Sequence, residues 1–369
     1  MTSSSKDPSE TEPSEPQLSP LRRPMTSRQL WFAAAGLWFL ITGACWIAYL
    51  THLSERADRA AAAARWNEAV RAVNPPAQEE DPLASPTSSP VDSKRLTADL
   101  VQFAVPRSTD SELSAARAFI GHRLMKLGFT PTINAFGSGV NIIAELPGTE
   151  PGNGVFIIAA HLDAVPRSPG ADDNATGVVG LLELARLFKI SPPKSDLRFI
   201  FFDAEEKGLI GSRAYVRKPR NLKGVRGAII LEMIGFTCKE PGCQAYPDGV
   251  PDFIRPPLGD FVTVIGNSER LDLMKAFAVS QNPKGPMVIA LPVPQQGRGM
   301  SDTRRSDHAP FWDLGIGAVM VTDTANFRNP HYHKETDTVE SLNIDFLTEV
   351  VALTHRAVSH LANLPMLEK

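Results

Sequence analysis

Three apolar runs of this chain each lead into an acid or an imidazole. Val155-Phe-Ile-Ile-Ala-Ala160 is followed by His161 and Asp163, Leu197-Arg-Phe-Ile-Phe-Phe-Asp203 by Glu205 and Glu206, and Ala228-Ile-Ile-Leu231 by Glu232. Runs of this kind read as strands buried on both faces, which occur in parallel sheets covered by helices. In such sheets the carboxyl ends of the strands share one edge, where side chains converge on a cleft. The chain must therefore adopt a fold that gathers these charged groups in one place.

The remaining pattern supports that architecture. Val140–Leu146, Phe261–Ile265 and Ala318–Thr322 read as further strands, and Gly227 extends the run that ends at Leu231. Leu113, Ala116, Ile120, Leu124 and Leu127 recur at helical spacing and stop at Gly128. Helices are expected over Thr176–Lys189, Leu209–Arg217, Glu269–Ser280 and Ile344–Ala362. This order predicts an α/β three-layer sandwich with a largely parallel mixed central sheet over residues 94–369. There is no internal repeat.

The N-terminus has a different character. Residues 1–28 are rich in Ser, Pro and Glu, a composition expected to leave a disordered polar tail. Residues 29–51 carry no charge, with Trp31, Trp46 and Tyr49 near the ends, and predict a single transmembrane helix that anchors the chain. Residues 52–93 combine a helix-forming stretch, Ala60–Val73, with Pro75, Pro76, Pro82, Pro86 and Pro90, and are expected to form a helical stalk and a Pro-rich linker. Lys and Arg are nearly balanced across the anchor, so charge alone does not orient it. The expected arrangement is a short tail inside and the catalytic domain on the periplasmic or extracellular side.

A net charge of −3 provides no basic field, which argues against a nucleic-acid partner. The sequence has no Gly-x-Ser-x-Gly elbow, no phosphate-binding Gly-rich loop and no His-Glu-x-x-His helix. The chemistry therefore rests on the acids and imidazoles. Gly170-Ala-Asp-Asp-Asn-Ala-Thr-Gly177 permits a tight loop entering a helix and places Asp172 and Asp173 near its N-terminus. Adjacent Glu205 and Glu206 repel one another unless a cation or proton intervenes. Pro330-His-Tyr-His-Lys-Glu-Thr-Asp337 supplies further imidazoles. Each motif alone also suits a capping or solvated role; together they point to a metal centre.

Taken in order, Ala160-His-Leu-Asp, Pro169-Gly-Ala-Asp-Asp-Asn, Asp203-Ala-Glu-Glu, Ser306-Asp-His and His333-Lys-Glu-Thr-Asp-Thr338 resemble the co-catalytic zinc aminopeptidases, a family that includes bacterial leucyl aminopeptidases. Glutamate carboxypeptidases and glutaminyl cyclases share that fold. The resemblance implies a peptide substrate and two zinc ions, with manganese or cobalt able to substitute. It implies His161 and Glu232 as ligands of one ion, Glu206 and His333 of the other, and Asp173 as a bridge. Glu205 would be the general base, Asp163 would orient His161, and Asp307 and His308 would contact substrate. Asp is common in that family where this chain has Glu232.

The resulting expectation is a membrane-anchored exopeptidase, foremost an aminopeptidase. A glutaminyl cyclase-type acyltransferase and a carboxypeptidase are the alternatives, the latter requiring a clamp from Arg298, Arg304 or Arg305. A non-catalytic receptor would have lost ligands, and none is lost. Cys238 and Cys243 flank Lys-Glu-Pro-Gly, a turn that allows a disulfide or leaves two free thiols.

Overall fold

Side chains on neighbouring residues of a strand point to opposite faces of its sheet, and this chain fills both faces. The computed structural model describes residues 26–27, 51–52, 54–74, 90–137 and 139–365. They contain an eight-stranded sheet in the order β1-β2-β4-β3-β5-β8-β6-β7. The strands are β1 Thr132–Phe136, β2 Gly139–Leu146, β3 Val155–His161, β4 Asp196–Phe202, β5 Val225–Glu232, β6 Val262–Asn267, β7 Val288–Val293 and β8 Ala318–Thr322. The central β4-β3-β5-β8 pairings are parallel, whereas β1, β2 and β6 join their inner neighbours antiparallel. The sheet is thus parallel where the site forms and mixed at its flanks.

One core packs Phe156, Ile158 and Ala160 of β3 against residues of the helices Ser93–Phe103, Asp110–Lys126, Gly177–Ile190, Leu271–Val279 and Ile344–Asn363. The opposite core packs Ile157 and Ala159 with Tyr215 and Val216 of the short helix Ile210–Val216, and with Phe311 and Trp312. This is the expected α/β/α layering. The expected helix ending at Gly128 has a complete capping box, with Thr109 and Glu112 exchanging side-chain-to-backbone bonds. Strand β1 and strand β7 were not anticipated. The former is mostly exposed and the latter is interrupted by Pro292.

Two compact units divide the chain at Met1–Ala62 and Ala63–Lys369. In the first, residues 54–62 are helical. The expected tail, 1–28, and anchor, 29–51, lie almost wholly outside the described residues. Among the described residues no helix is long and apolar enough to cross a membrane. In the second unit, residues 63–73 are helical and bury Val70 and Val73 completely. That stretch, expected as a stalk, packs on the folded domain expected to begin at residue 94.

Arg107 shows how the loops at the strand ends are fixed. It is buried, and its guanidinium donates to the carbonyls of Phe103, Val105, Leu162, Pro169 and Gly170. Burial lowers its pKa to about 10, although the charges of Asp173 and Asp163 oppose that fall. These bonds join the end of the helix Ser93–Phe103 to both ends of the loop that follows β3. Arg107→Met keeps the apolar stem but strands the carbonyls, and is expected to cost at least about 3 kcal/mol. Urea unfolding measures this; an unchanged midpoint would refute the anchoring role.

Candidate metal centre and active site

The carboxyl ends of β3, β4 and β5 place His161, the Glu205–Glu206 turn and Glu232 along one edge. Residues in the left-handed backbone region turn the chain around these positions: Ala204 at φ 58°, Met233 at φ 49° and His333 itself at φ 59°. Such a conformation is strained for residues with a Cβ and persists where the surroundings enforce it. Asp173 comes from the irregular turn Ala171–Thr176 that leads into the helix Gly177–Ile190, and its peptide bond to Asn174 is cis.

Asp173 stands between two imidazoles. Its Oδ1 lies 3.2 Å from His161 Nε2, and its Oδ2 lies 3.2 Å from His333 Nε2. Glu232 Oε1 is 3.5 Å from His161 Nε2, and Glu206 Oε2 is 3.2 Å from His333 Nε2. Two clusters with metal-ligand spacing result, His161–Asp173–Glu232 and Asp173–Glu206–His333, sharing Asp173. Except for the half-open His333, these groups are mostly withdrawn from solvent.

Neighbouring groups hold this arrangement. Asp337 accepts the backbone N–H groups of Asp172 and Asp173 at 2.9 and 3.1 Å, so the His333 loop and the Asp173 turn form one unit. Asn174 donates to the carbonyl of Leu231 and accepts from Met233 N, tying the same turn to the end of β5. Asp163 Oδ1 lies 3.4 Å from His161 Nδ1. Asp163 also accepts the backbone N–H groups of Glu205 and Glu206, a contribution that sequence reasoning missed. Ser306 donates to Glu232 Oε2 at 2.6 Å and steadies the longer side chain at that position. Ser306 lay within a recognised motif, but nothing in the sequence paired it with Glu232.

The charges are strongly coupled. Burial opposes a proton on His161, yet Glu232 and Glu205, with Asp163 and Asp173, hold its pKa well above the ordinary imidazole value. Burial similarly opposes charge on His333, while Asp173 and Glu206 raise it to about 9. Burial favours protonated Asp173, but both imidazoles outweigh that effect and hold its carboxyl below the usual range. Burial and the Asp173 charge push Glu206 up to about 7. Glu205 is raised well above the usual range by burial, and Glu232 and Asp307 add to the effect.

Asp307 and His308 are both completely buried. His308 Nε2 is 2.7 Å from the carbonyl of Thr303, and burial lowers its pKa to about 4. Neither residue lines the cavity beside the metal clusters. Both side chains are enclosed by close packing, and the two carboxylate oxygens of Asp307 are buried without a hydrogen-bond partner among the described residues.

That cavity, about 810 Å³ including its open mouth, is walled mainly by apolar side chains, among them Tyr246, Phe261, Ile265, Ile289, Leu291 and Met320, and reaches Glu232. At its rim Arg305 donates to Asn326 Oδ1 and to the Tyr332 hydroxyl. Arg304 instead pairs with Asp313. The neighbouring wall, from Gln244 to Tyr246, follows the disulfide formed by Cys238 and Cys243.

An uncharacterized Escherichia coli (strain K12) protein, YfbL, is 32% identical over 288 residues, covering 72% of this chain and 86% of that protein. The aminopeptidase YwaD of Bacillus subtilis (strain 168) is 30% identical over 215 residues, covering 55% of this chain but only 40% of YwaD. In fold, BSAP, a zinc aminopeptidase from Bacillus subtilis, superposes with a TM-score of 0.59 at 18% identity, covering 77% of this chain and 98% of that one. The sequence model of peptidase family M28 matches residues 141–358, a span that holds both ligand clusters, and the chain belongs to that family.

Proposed function

We propose that this chain is a membrane-anchored, zinc-dependent aminopeptidase that holds two ions and uses Glu205 as general base. Asp173 carries this reading, because its two oxygens face separate imidazole–carboxylate sets. One carboxylate shared by two dications offsets their mutual repulsion. The mixed imidazole and carboxylate donors fit zinc and tolerate manganese or cobalt. Glu206 Oε1 is buried without a hydrogen-bond partner, consistent with an oxygen available to a cation. Among the described residues, the carboxylates of Asp173, Glu206 and Glu232 form ion pairs with imidazoles and with no Lys or Arg.

His161 and Glu232 would hold one ion, Glu206 and His333 the other, with Asp173 between them. Bound zinc supplies Lewis acidity towards a scissile carbonyl and lowers the pKa of water. Glu205 belongs to neither ligand set, which leaves its carboxylate to move protons. It takes the proton of the attacking water and delivers it to the departing amine nitrogen. Asp163 fixes the turn that presents Glu205 through the Glu205 and Glu206 backbone N–H groups.

The cavity beside Glu232 would receive the side chain of the first residue, and the site's carboxylates would attract its free α-ammonium group. The named relatives and the paired ligand sets support hydrolysis over glutamine cyclisation. Carboxypeptidase action finds less support: Arg304 is paired with Asp313, and Arg305 with Asn326 and Tyr332. The uncharged run 29–51 supports anchoring. The disulfide Cys238–Cys243 suits a catalytic domain on the periplasmic or extracellular side.

Glu205→Gln is expected to retain metal and lower kcat by about 10²- to 10⁴-fold; near-normal hydrolysis of leucyl peptides would remove Glu205 from that role. Elemental analysis of the full chain should find two zinc ions, and His333→Ala should keep one. A single ion in the unaltered protein would overturn the paired site. The full chain should remain in the membrane fraction after an alkaline carbonate wash, and its release would overturn the anchor.

A further inference from the structure

β7 is an edge strand of the sheet, and an edge leaves backbone groups without strand partners. Residues 63–74 cover this one. The Asn74 side-chain amide accepts the Ala290 N–H at 2.8 Å and donates to the Ala290 carbonyl at 2.7 Å. Trp66 Nε1 donates to the Pro292 carbonyl. These attachments bracket Leu291, which lines the cavity together with Ile289.

The helix straddles the strand. Val70 enters the buried cluster that contains Leu291, Val250 and Ile254, whereas Val73 enters the opposite core with Ala290 and Val288. Arg71 lies 5.3 Å from the ring centre of Phe253, next to Ile254 in the cavity wall. One short stretch of chain therefore supports two separate parts of that wall, β7 and the segment around residues 250–254.

We propose that residues 63–74 set the substrate preference of this peptidase by fixing the depth and shape of its apolar cavity. The inference rests on the reading that the cavity receives the side chain of the first residue. Val70, Trp66 and Asn74 are positioning residues: they neither line the cavity nor belong to a metal cluster. When they hold Leu291 and Ile254 in register, a long apolar side chain fills the cavity, while an alanine side chain leaves it mostly unused. Loosening them should affect the first kind of substrate far more than the second.

The test uses the full chain loaded with zinc and compares leucine and alanine anilides. In Asn74→Ala and Val70→Ala, the leucine-to-alanine ratio of kcat/KM should fall about fivefold or more, chiefly through a higher KM for leucine, in keeping with the 10- to 200-fold discrimination that single methylenes give in apolar pockets. Turnover of the alanine substrate should stay within about twofold, since a methyl side chain draws little on that discrimination. Hydrogen exchange at the Ala290 amide should quicken in Asn74→Ala. Ile265→Trp, which fills the cavity, serves as the control. If Ile265→Trp changes the ratio and the helix variants do not, the inference fails while the pocket assignment stands. If none changes it, the pocket assignment fails and the inference with it. Unchanged exchange at Ala290 also overturns the proposed support, and Asn74→Ala decides the matter if Val70→Ala does not fold.

Discussion

Asp173 is the point on which the local structure turns. Its carboxylate faces one imidazole with each oxygen, and three separate stretches of chain hold it there. Asp337 captures its backbone N–H, Asn174 fastens its turn to the end of β5, and Arg107 grips the carbonyls of the preceding Pro169 and Gly170. Gathering carboxylates in a buried place is costly because burial disfavours their charged forms. The fold offsets part of that cost with backbone N–H donors and two imidazoles whose pKa values rise in response.

The parallel centre of the sheet makes this convergence possible. β3, β4 and β5 run in the same direction, so His161, Glu205, Glu206 and Glu232 emerge on one edge without long excursions. The loops then refine the direction of each group through left-handed residues at Ala204, Met233 and His333. An antiparallel arrangement would send alternate strand ends to opposite edges and separate the same residues.

Much of this was legible in the sequence because the evidence was local. A six-residue apolar run followed by His161 identifies both a strand and the position of a group at its end. The ranges expected for β2, β3, β4, β5, β6 and β8 differ from those found only at their boundaries. Relations between distant residues were not legible. Ser306 meeting Glu232, Asp163 receiving the amides of the Glu205–Glu206 turn, and Arg107 collecting carbonyls from both ends of the loop after β3 all depend on three-dimensional proximity. β7 escaped notice because Pro292 interrupts its pattern, and Pro is suited to an edge where no ladder N–H is required.

The metal-ligand clusters and the apolar cavity have different structural origins. The former occupy strand ends and adjoining turns within residues 141–358, the span shared with the family. The cavity wall is assembled from β5, β6, β7, β8 and the irregular segments between them, and its edge strand is braced by residues 63–74, outside that span. A change in the bracing helix can therefore alter the cavity without altering any ligand distance.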